Sequence, residues 1–305
     1  MIIDIHTHLG DILNPNGGLL IFRKGVRKQK GLDVLTMSEQ RMYQTNGFSE
    51  WFFTTLGQRL ITKAGRARNL TATLENFQRS MDENKVAQSA CMPVAPHVTF
   101  DDLRGAMASD ARIIPFTSVN FSVNQDFESH LKTHLADGAK GLKLHPIIQK
   151  EPLFGKRTFD VVETFAPYGL PVLFHSSVAS YYLGKEKRQK QKPEYGDVRQ
   201  SEKLCAAFPG VTFIVGHSGM LQYRQTIELF SGLKNVLVDT SFQSPERIKE
   251  LIRGFGPERV LYASDWPFGN RKTNIACVAE ACGNDKYLKR RIYFENAAEL
   301  LKLSA

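Results

Sequence analysis

Cysteine is scarce: four residues in a chain of 305 (Cys91, Cys205, Cys277 and Cys282), with no C-x-x-C pair among them. That spacing argues against a disulfide framework or a zinc finger and makes a reducing cytoplasm the expected compartment. No apolar run reaches the length of a membrane span, so no transmembrane segment and no membrane partner are expected. The opening MIIDIHTHLGD carries no basic stretch ahead of an apolar one, and a secretory leader is not expected. No Gly-rich phosphate loop follows the first strand-like run, which speaks against a doubly wound open sheet. GHSGM (216–220) fails to complete the G-x-S-x-G elbow of a serine hydrolase.

What is present describes a soluble globular chain, with 42% hydrophobic and 23% charged residues. The net charge is +9. Two segments, RKGVRKQK (23–30) and KEKRQKQK (185–192), account for all of it, so the remainder is charge-balanced. A neutral body with two basic loops is not the evenly basic face of a nucleic-acid-coating protein, and no nucleic-acid partner is expected.

Apolar runs rich in β-branched residues recur at Ile2–Ile5, 86–92, 112–119, 139–145, 171–176, 211–217, 235–241 and 259–265. Continuous runs of this length suit strands buried on both faces of a parallel sheet. Amphipathic segments lie between them. Leu70, Leu74, Phe77 and Met81 share one helical face, as do Phe127, Leu131 and Leu135 ahead of Gly138, and Pro245 opens a segment carrying Ile248, Leu251 and Ile252. Eight strands alternating with helices predict an α/β fold, a (β/α)8 TIM barrel forming one domain over 1–305. About sixty residues (10–70) separate the first strand from its helix, too many for a structureless loop. A helical insertion, a lid, is expected there.

The polar residues cluster at strand ends. His6 and His8 end the first run with the i, i+2 spacing that puts both on one face. Lys143 and His145 end the fourth run, His175 the fifth, His217 the sixth and Asp265 the eighth. In a barrel, the C-terminal ends of the strands converge on one mouth, where active sites lie. Several imidazoles and a carboxylate gathered there are costly to bury unless something satisfies them, and a divalent metal does so directly. His97, His130 and His134 lack this placement and read as ordinary. Asp239, near the end of the seventh run, reads equally well as structural or functional.

With these motifs in place the chain resembles the amidohydrolase superfamily, in particular its amidohydrolase-related branch. DIHTHLGD, GLKLHPIIQ, LPVLFHSS, FIVGHSG, VDTS, YASDWPFGN and FENAAELLKL carry the resemblance, which spans nearly everything except the insertion. It implies a (β/α)8 barrel holding one or two divalent ions, zinc first and manganese second. His6, His8, His175 and Asp265 match the family's metal ligands, and His217 matches a residue that binds a second ion or stabilises the transition state. Lys143 matches a lysine that in some members forms a carbamate bridging two metals. Its other reading is a plain cation pairing with a substrate carboxylate in a one-metal site.

The implied reaction is hydrolysis of a C–N or C–O bond, in an amide, lactone or ester, by a metal-activated water, with Asp265 moving its proton and the metal or His217 stabilising the oxyanion. The alternative from the same branch is non-oxidative decarboxylation of an aromatic or unsaturated acid on one metal. Both suit a small anionic substrate steered by the basic loops. Lys143 and His145 are candidates for binding it, and Trp266, with Phe268, for walling it. The strand-four sequence GLKLHP argues against the superfamily's nucleases, which carry glutamate there. The intact ligand positions argue against a non-catalytic binding module. A homodimer is the expected assembly.

Overall fold

Among residues 1–303, which the computed structural model describes, eight short parallel strands alternate with helices. They are β1 (Ile3–Thr7), β2 (Gln88–Cys91), β3 (Ile113–Pro115), β4 (Leu142–Leu144), β5 (Val172–Phe174), β6 (Phe213–Val215), β7 (Val236–Asp239) and β8 (Val260–Leu261). Strands β1–β3 and β4–β8 form two parallel ladders in chain order. Backbone bonds join the ladders at both edges. Thr7 bridges Trp266, where His8 N donates to the Trp266 carbonyl at 2.7 Å and Asp265 N to the His6 carbonyl at 2.8 Å. Thr117 bridges Leu142, where Lys143 N donates to the Thr117 carbonyl at 2.7 Å. The strand order therefore runs from β1 round to β8 and back, as in the expected barrel.

Period-two alternation divides the apolar residues of the strands between the barrel interior and its helix-facing outside. Leu142, Leu144, Val172, Phe174, Phe213 and Val215 pack outward with the helices. Leu173, Ile214, Ile3, Ile5, Ala90, Ile114 and Leu261 fill the interior, joined there by Ala297 and Leu301 from the C-terminal helix. Each leucine or isoleucine among them, fully buried, contributes roughly 1.5–3 kcal/mol. This interior layer is an apolar floor beneath the mouth.

The alternation breaks once, in β1, where the register against β2 slips between Asp4 and Thr7. Ile3 and Ile5 join the interior core. Asp4 and Thr7 bond outward to Arg271 and to the Ala90 carbonyl. His6, directly after Ile5, nevertheless points inward to Asp239 and Lys143. An extra residue in a strand re-aims the side chains beyond it, and here it brings both His6 and His8 to the mouth.

The insertion is helical, as expected. A 3₁₀ turn at Gly17–Leu20 precedes helices at Val34–Gln40, Gly47–Thr54 and Gln58–Asn69. Asp33 caps the first of these helices and Asn46 forms a capping box with Ser49 on the second. Two expectations need correction. Leu70 is 41% exposed and ends the Gln58–Asn69 helix, because Thr73 caps a new helix at Leu74–Asn84 whose buried face is Leu74, Phe77 and Met81. The ladders also stop before His145, His175, His217 and Asp265, whereas Lys143 stays within β4. His217 (φ 58°) and Asp265 (φ 54°) have left the extended conformation, in the turns that follow β6 and β8.

Behind β1 lies a fully buried ion pair, Asp4 to Arg271 at 3.0 Å. Arg271 also donates to Ser89 Oγ and stacks over Phe77, and Asp4 accepts from Ser264, so the pair ties β1, β2 and the β8 turn together. Asp4→Ala leaves the guanidinium buried without its carboxylate. We expect it to cost about 3–5 kcal/mol of stability, read as a fall in the urea midpoint; a change under 1 kcal/mol contradicts this account.

Candidate active site

At the C-terminal mouth the structure gathers His6, His8, Lys143, His145, His175, His217 and Asp265, none more than 6% exposed. A nitrogen from each of His6 and His217 and a carboxylate oxygen of Asp265 lie within 4.8 Å of one another. His8 Nε2 is 3.3 Å from Asp265 Oδ1, and His6 Nε2 is 3.7 Å from the same oxygen.

The surrounding acceptors assign the tautomers, because an imidazole that donates from one nitrogen presents a lone pair at the other. His6 donates from Nδ1 to Asp239 Oδ2 at 2.9 Å. His8 donates from Nδ1 to the Met92 carbonyl at 2.7 Å. Ser241 Oγ gives its proton to Asp239 Oδ1 and accepts from His217 Nδ1 at 2.7 Å. His175 Nε2 faces the Ser177 carbonyl at 3.1 Å, which leaves Nδ1 as the lone pair, 3.1 Å from His217 Nε2. The lone pairs of His6, His8 and His217 thus lie within 4.0 Å of an Asp265 oxygen, that of His175 faces His217 instead, and the buried Asp265 Oδ1 has no hydrogen-bond partner. Lone pair facing lone pair at these distances is repulsive unless a cation sits among them. The donor set of imidazole nitrogens and one carboxylate suits a divalent metal, with the outer bonds orienting each ligand.

Burial, reinforced by the Lys143 charge, holds His6 and His8 well below the usual imidazole value, and burial beside the His6 and His175 rings does the same for His217. His175 falls to about 3, chiefly through burial. Burial also lowers Lys143 to about 7 and raises Asp265 well above the ordinary carboxylate range, Lys143 opposing the latter. Lys143 Nζ sits 2.8 Å from His6 Nε2, at the centre of the cluster. The His145 ring stacks on His175 at 4.3 Å, and its buried Nδ1 has no partner.

An aromatic roof closes the mouth. Tyr181 meets the rings of His145 and His175 edge-on at 5.3 and 6.0 Å, Phe268 meets His8 at 6.0 Å, and Phe242 meets His217 at 5.5 Å. Ser180, next to Tyr181, lines an outer cavity of about 360 Å³ that also carries Arg59 and Lys187. Trp266 is not at the mouth: its ring turns away to Phe77 (5.1 Å) and lies under Arg271 (5.4 Å). His130 and His134 lie against each other on an outer helix, bonded to the Ser118 carbonyl and to Thr117 Oγ1. Asp239 and Ser241 are the residues sequence reasoning undervalued. Their i, i+2 spacing in VDTS, the same spacing as in His6 and His8, was the available signal.

A parallel α/β barrel with a buried histidine–aspartate cluster at its C-terminal mouth defines a TIM-barrel enzyme suited to a divalent ion. The chain belongs to the amidohydrolase family, whose model matches residues 3–303. No curated protein matches it significantly. Among solved structures it is similar to 5-carboxyvanillate decarboxylase of Novosphingobium aromaticivorans complexed with manganese and a nitrobenzoic acid (16% identity, 99% of this chain and 96% of that one, TM-score 0.66). It is also similar to a probable 2-pyrone-4,6-dicarboxylic acid hydrolase of Acinetobacter baumannii (13%, 99% of each chain, 0.61) and to an uncharacterized TIM-barrel protein of Bordetella bronchiseptica (14%, 99% and 98%, 0.66). Solved structures of this fold thus include a decarboxylase and a probable hydrolase.

The depressed histidines fix a pH dependence for the metal-free protein. Below about pH 6.5 the unfolded chain takes up protons that the folded chain refuses, so stability falls as pH falls. His175 alone contributes a slope of up to about 1.4 kcal/mol per pH unit between its folded value of about 3 and the unfolded value. Urea unfolding at pH 7.0 and 5.5 should show a steep loss at the lower pH, and equal midpoints would contradict the assigned neutral imidazoles.

Proposed function

We propose that this protein is a metal-dependent hydrolase cleaving a C–N or C–O bond (amide, lactone or ester) in a small anionic substrate, with zinc the first candidate ion and manganese the second. The observation that carries the reading is the convergence of oriented imidazole lone pairs on a buried, unpartnered Asp265 oxygen. His6, His8, His175 and Asp265 hold the ion in this reading. When bound, a divalent ion supplies Lewis-acid polarisation and a water acidified toward neutrality.

The remaining work falls to side chains of this chain. Asp265 accepts the proton of the attacking water and delivers it to the leaving group. His217 Nε2, 4.0 Å from Asp265 Oδ2, presents a lone pair in the tautomer assigned above, so it stabilises the developing oxyanion only after taking up a proton there. Arg59 and Lys187 in the outer cavity attract an anion, and Tyr181 and Phe268 exclude water behind it. Lys143 lies against His6 at the centre of the cluster rather than under the roof, which supports the carbamate role over a direct contact with a substrate carboxylate. His145, with its free Nδ1, is the better candidate for substrate contact.

A second reading, non-oxidative decarboxylation of an aromatic or unsaturated acid, is favoured by the roof of Tyr181, Phe268 and Phe242. There Asp265, whose proton affinity burial raises, delivers the proton that replaces the departing CO2, with the His217 Nε2 lone pair beside it to take part in proton exchange. A screen of lactones, amides and aromatic acids, followed separately for acid release and for CO2, divides the two readings.

Asp265→Asn should lower kcat at least about a hundredfold with an unchanged circular dichroism spectrum; near-wild-type turnover removes Asp265 from its proton role. If Lys143 carries a carbamate, protein stripped of metal in acid should regain activity on metal addition only with bicarbonate present. Recovery without bicarbonate would make Lys143 a plain cation.

A further inference from the structure

We infer that Arg68, a residue of the insertion that does not reach the mouth, is a positioning residue for Asp265. The inference rests on the reading of Asp265 as a metal ligand and proton carrier. Arg68 lies buried in the last turn of the Gln58–Asn69 helix. A guanidinium has five N–H donors, and here each has an acceptor. Nε donates to Asp33 Oδ2 at 2.9 Å. Nη2 donates to Thr36 Oγ1 at 3.1 Å and to Glu39 Oε2 at 2.9 Å. Nη1 donates to Glu39 Oε1 and, at 2.7 Å, to the Phe268 carbonyl. Four bonds stay inside the insertion, where Asp33 and Glu39 balance the charge. The fifth crosses to the turn after β8.

That turn presents Asp265. It closes on itself through Gly269 N, which donates to the Asp265 carbonyl at 3.0 Å. It is folded so tightly that a Cβ on Gly269 would lie 2.1 Å from the Ser264 carbonyl oxygen. The barrel anchors its first half, through Asp265 N to the His6 carbonyl and Ser264 to Asp4. Arg68 anchors its second half. A carbonyl held by a charged donor that is itself locked in a two-point carboxylate pair has little freedom. Arg68 thus makes the position of Asp265, and of the Phe268 ring against His8, depend on the docking of the insertion. The insertion thereby completes the geometry of the carboxylate through this one bond.

The test loads wild type, Arg68→Lys and Thr36→Val with Co2+ and records the visible spectrum of the bound ion and the rate at which EDTA removes it. Lysine keeps the charge but cannot serve Asp33, Glu39 and Phe268 together, whereas Thr36→Val deletes one insertion-side bond and leaves the Phe268 bond intact. The expected result is a shifted Co2+ spectrum and release faster on the order of tenfold in Arg68→Lys, with Thr36→Val matching wild type in both, although both variants lower the thermal midpoint. If wild type binds Co2+ and Arg68→Lys behaves as Thr36→Val does, Arg68 is structural only and the inference is overturned. A wild type that takes up no Co2+ overturns the metal reading and this inference with it. Native-state hydrogen exchange on wild type serves if Arg68→Lys does not fold. The Gly269 amide should then open together with the amides of the Gln58–Asn69 helix, and independent opening contradicts the coupling.

Discussion

The His6–Asp239 bond, 2.9 Å long and wholly buried, sets the direction in which the β1 imidazole offers its lone pair. The same carboxylate accepts from the Ser241 amide and hydroxyl, and that hydroxyl in turn orients His217. One side chain on β7 therefore decides which nitrogen is free on residues from β1 and β6. Without it, either ring could turn its N–H toward Asp265, satisfy the carboxylate with a proton, and leave no cation site. The cluster's chemistry depends on this arrangement of acceptors as much as on the ligands themselves.

Gathering these groups opposes folding. Burial penalises every charged form among them, which is why the imidazoles are held neutral and Lys143 is lowered to about 7. The offset comes from below and behind. The interior layer of Ile3, Ile5, Leu173, Ile214 and Leu261 supplies apolar burial, and the Asp4–Arg271 pair pins β1 to the β8 turn. The β1 slip in register then delivers both histidines to the mouth from a strand whose lower half is plain core. Stability and site are thus consecutive stretches of the same strands, with the division at the height of the floor.

Much of this was legible in the residues. Continuous apolar runs marked the parallel strands because both faces of such a sheet are covered. The polar residues ending those runs marked the mouth because strand ends in a barrel converge. Less legible was whatever depends on distant backbone. Leu70 fitted the helical period of its neighbours, and only the Thr73 cap moves the helix start past it. Trp266 follows Asp265 directly, yet the turn sends its ring down to Phe77 and lifts Phe268 to the mouth in its place. Asp239 looked like any carboxylate at a strand end, since its importance lies in a bond to a residue 233 positions away. The role of the Met92 carbonyl had no side-chain signal at all.

The central claim is that lone pairs from separate strands meet around one point beside Asp265. It is tested most directly by anomalous diffraction from crystals soaked in zinc or manganese. The account places the ion within about 2.0–2.2 Å of His6 Nε2, His8 Nε2 and an Asp265 oxygen, with Asp239 bonded behind it and not touching it. An ion bound elsewhere, or no peak at the mouth after soaking, contradicts the account.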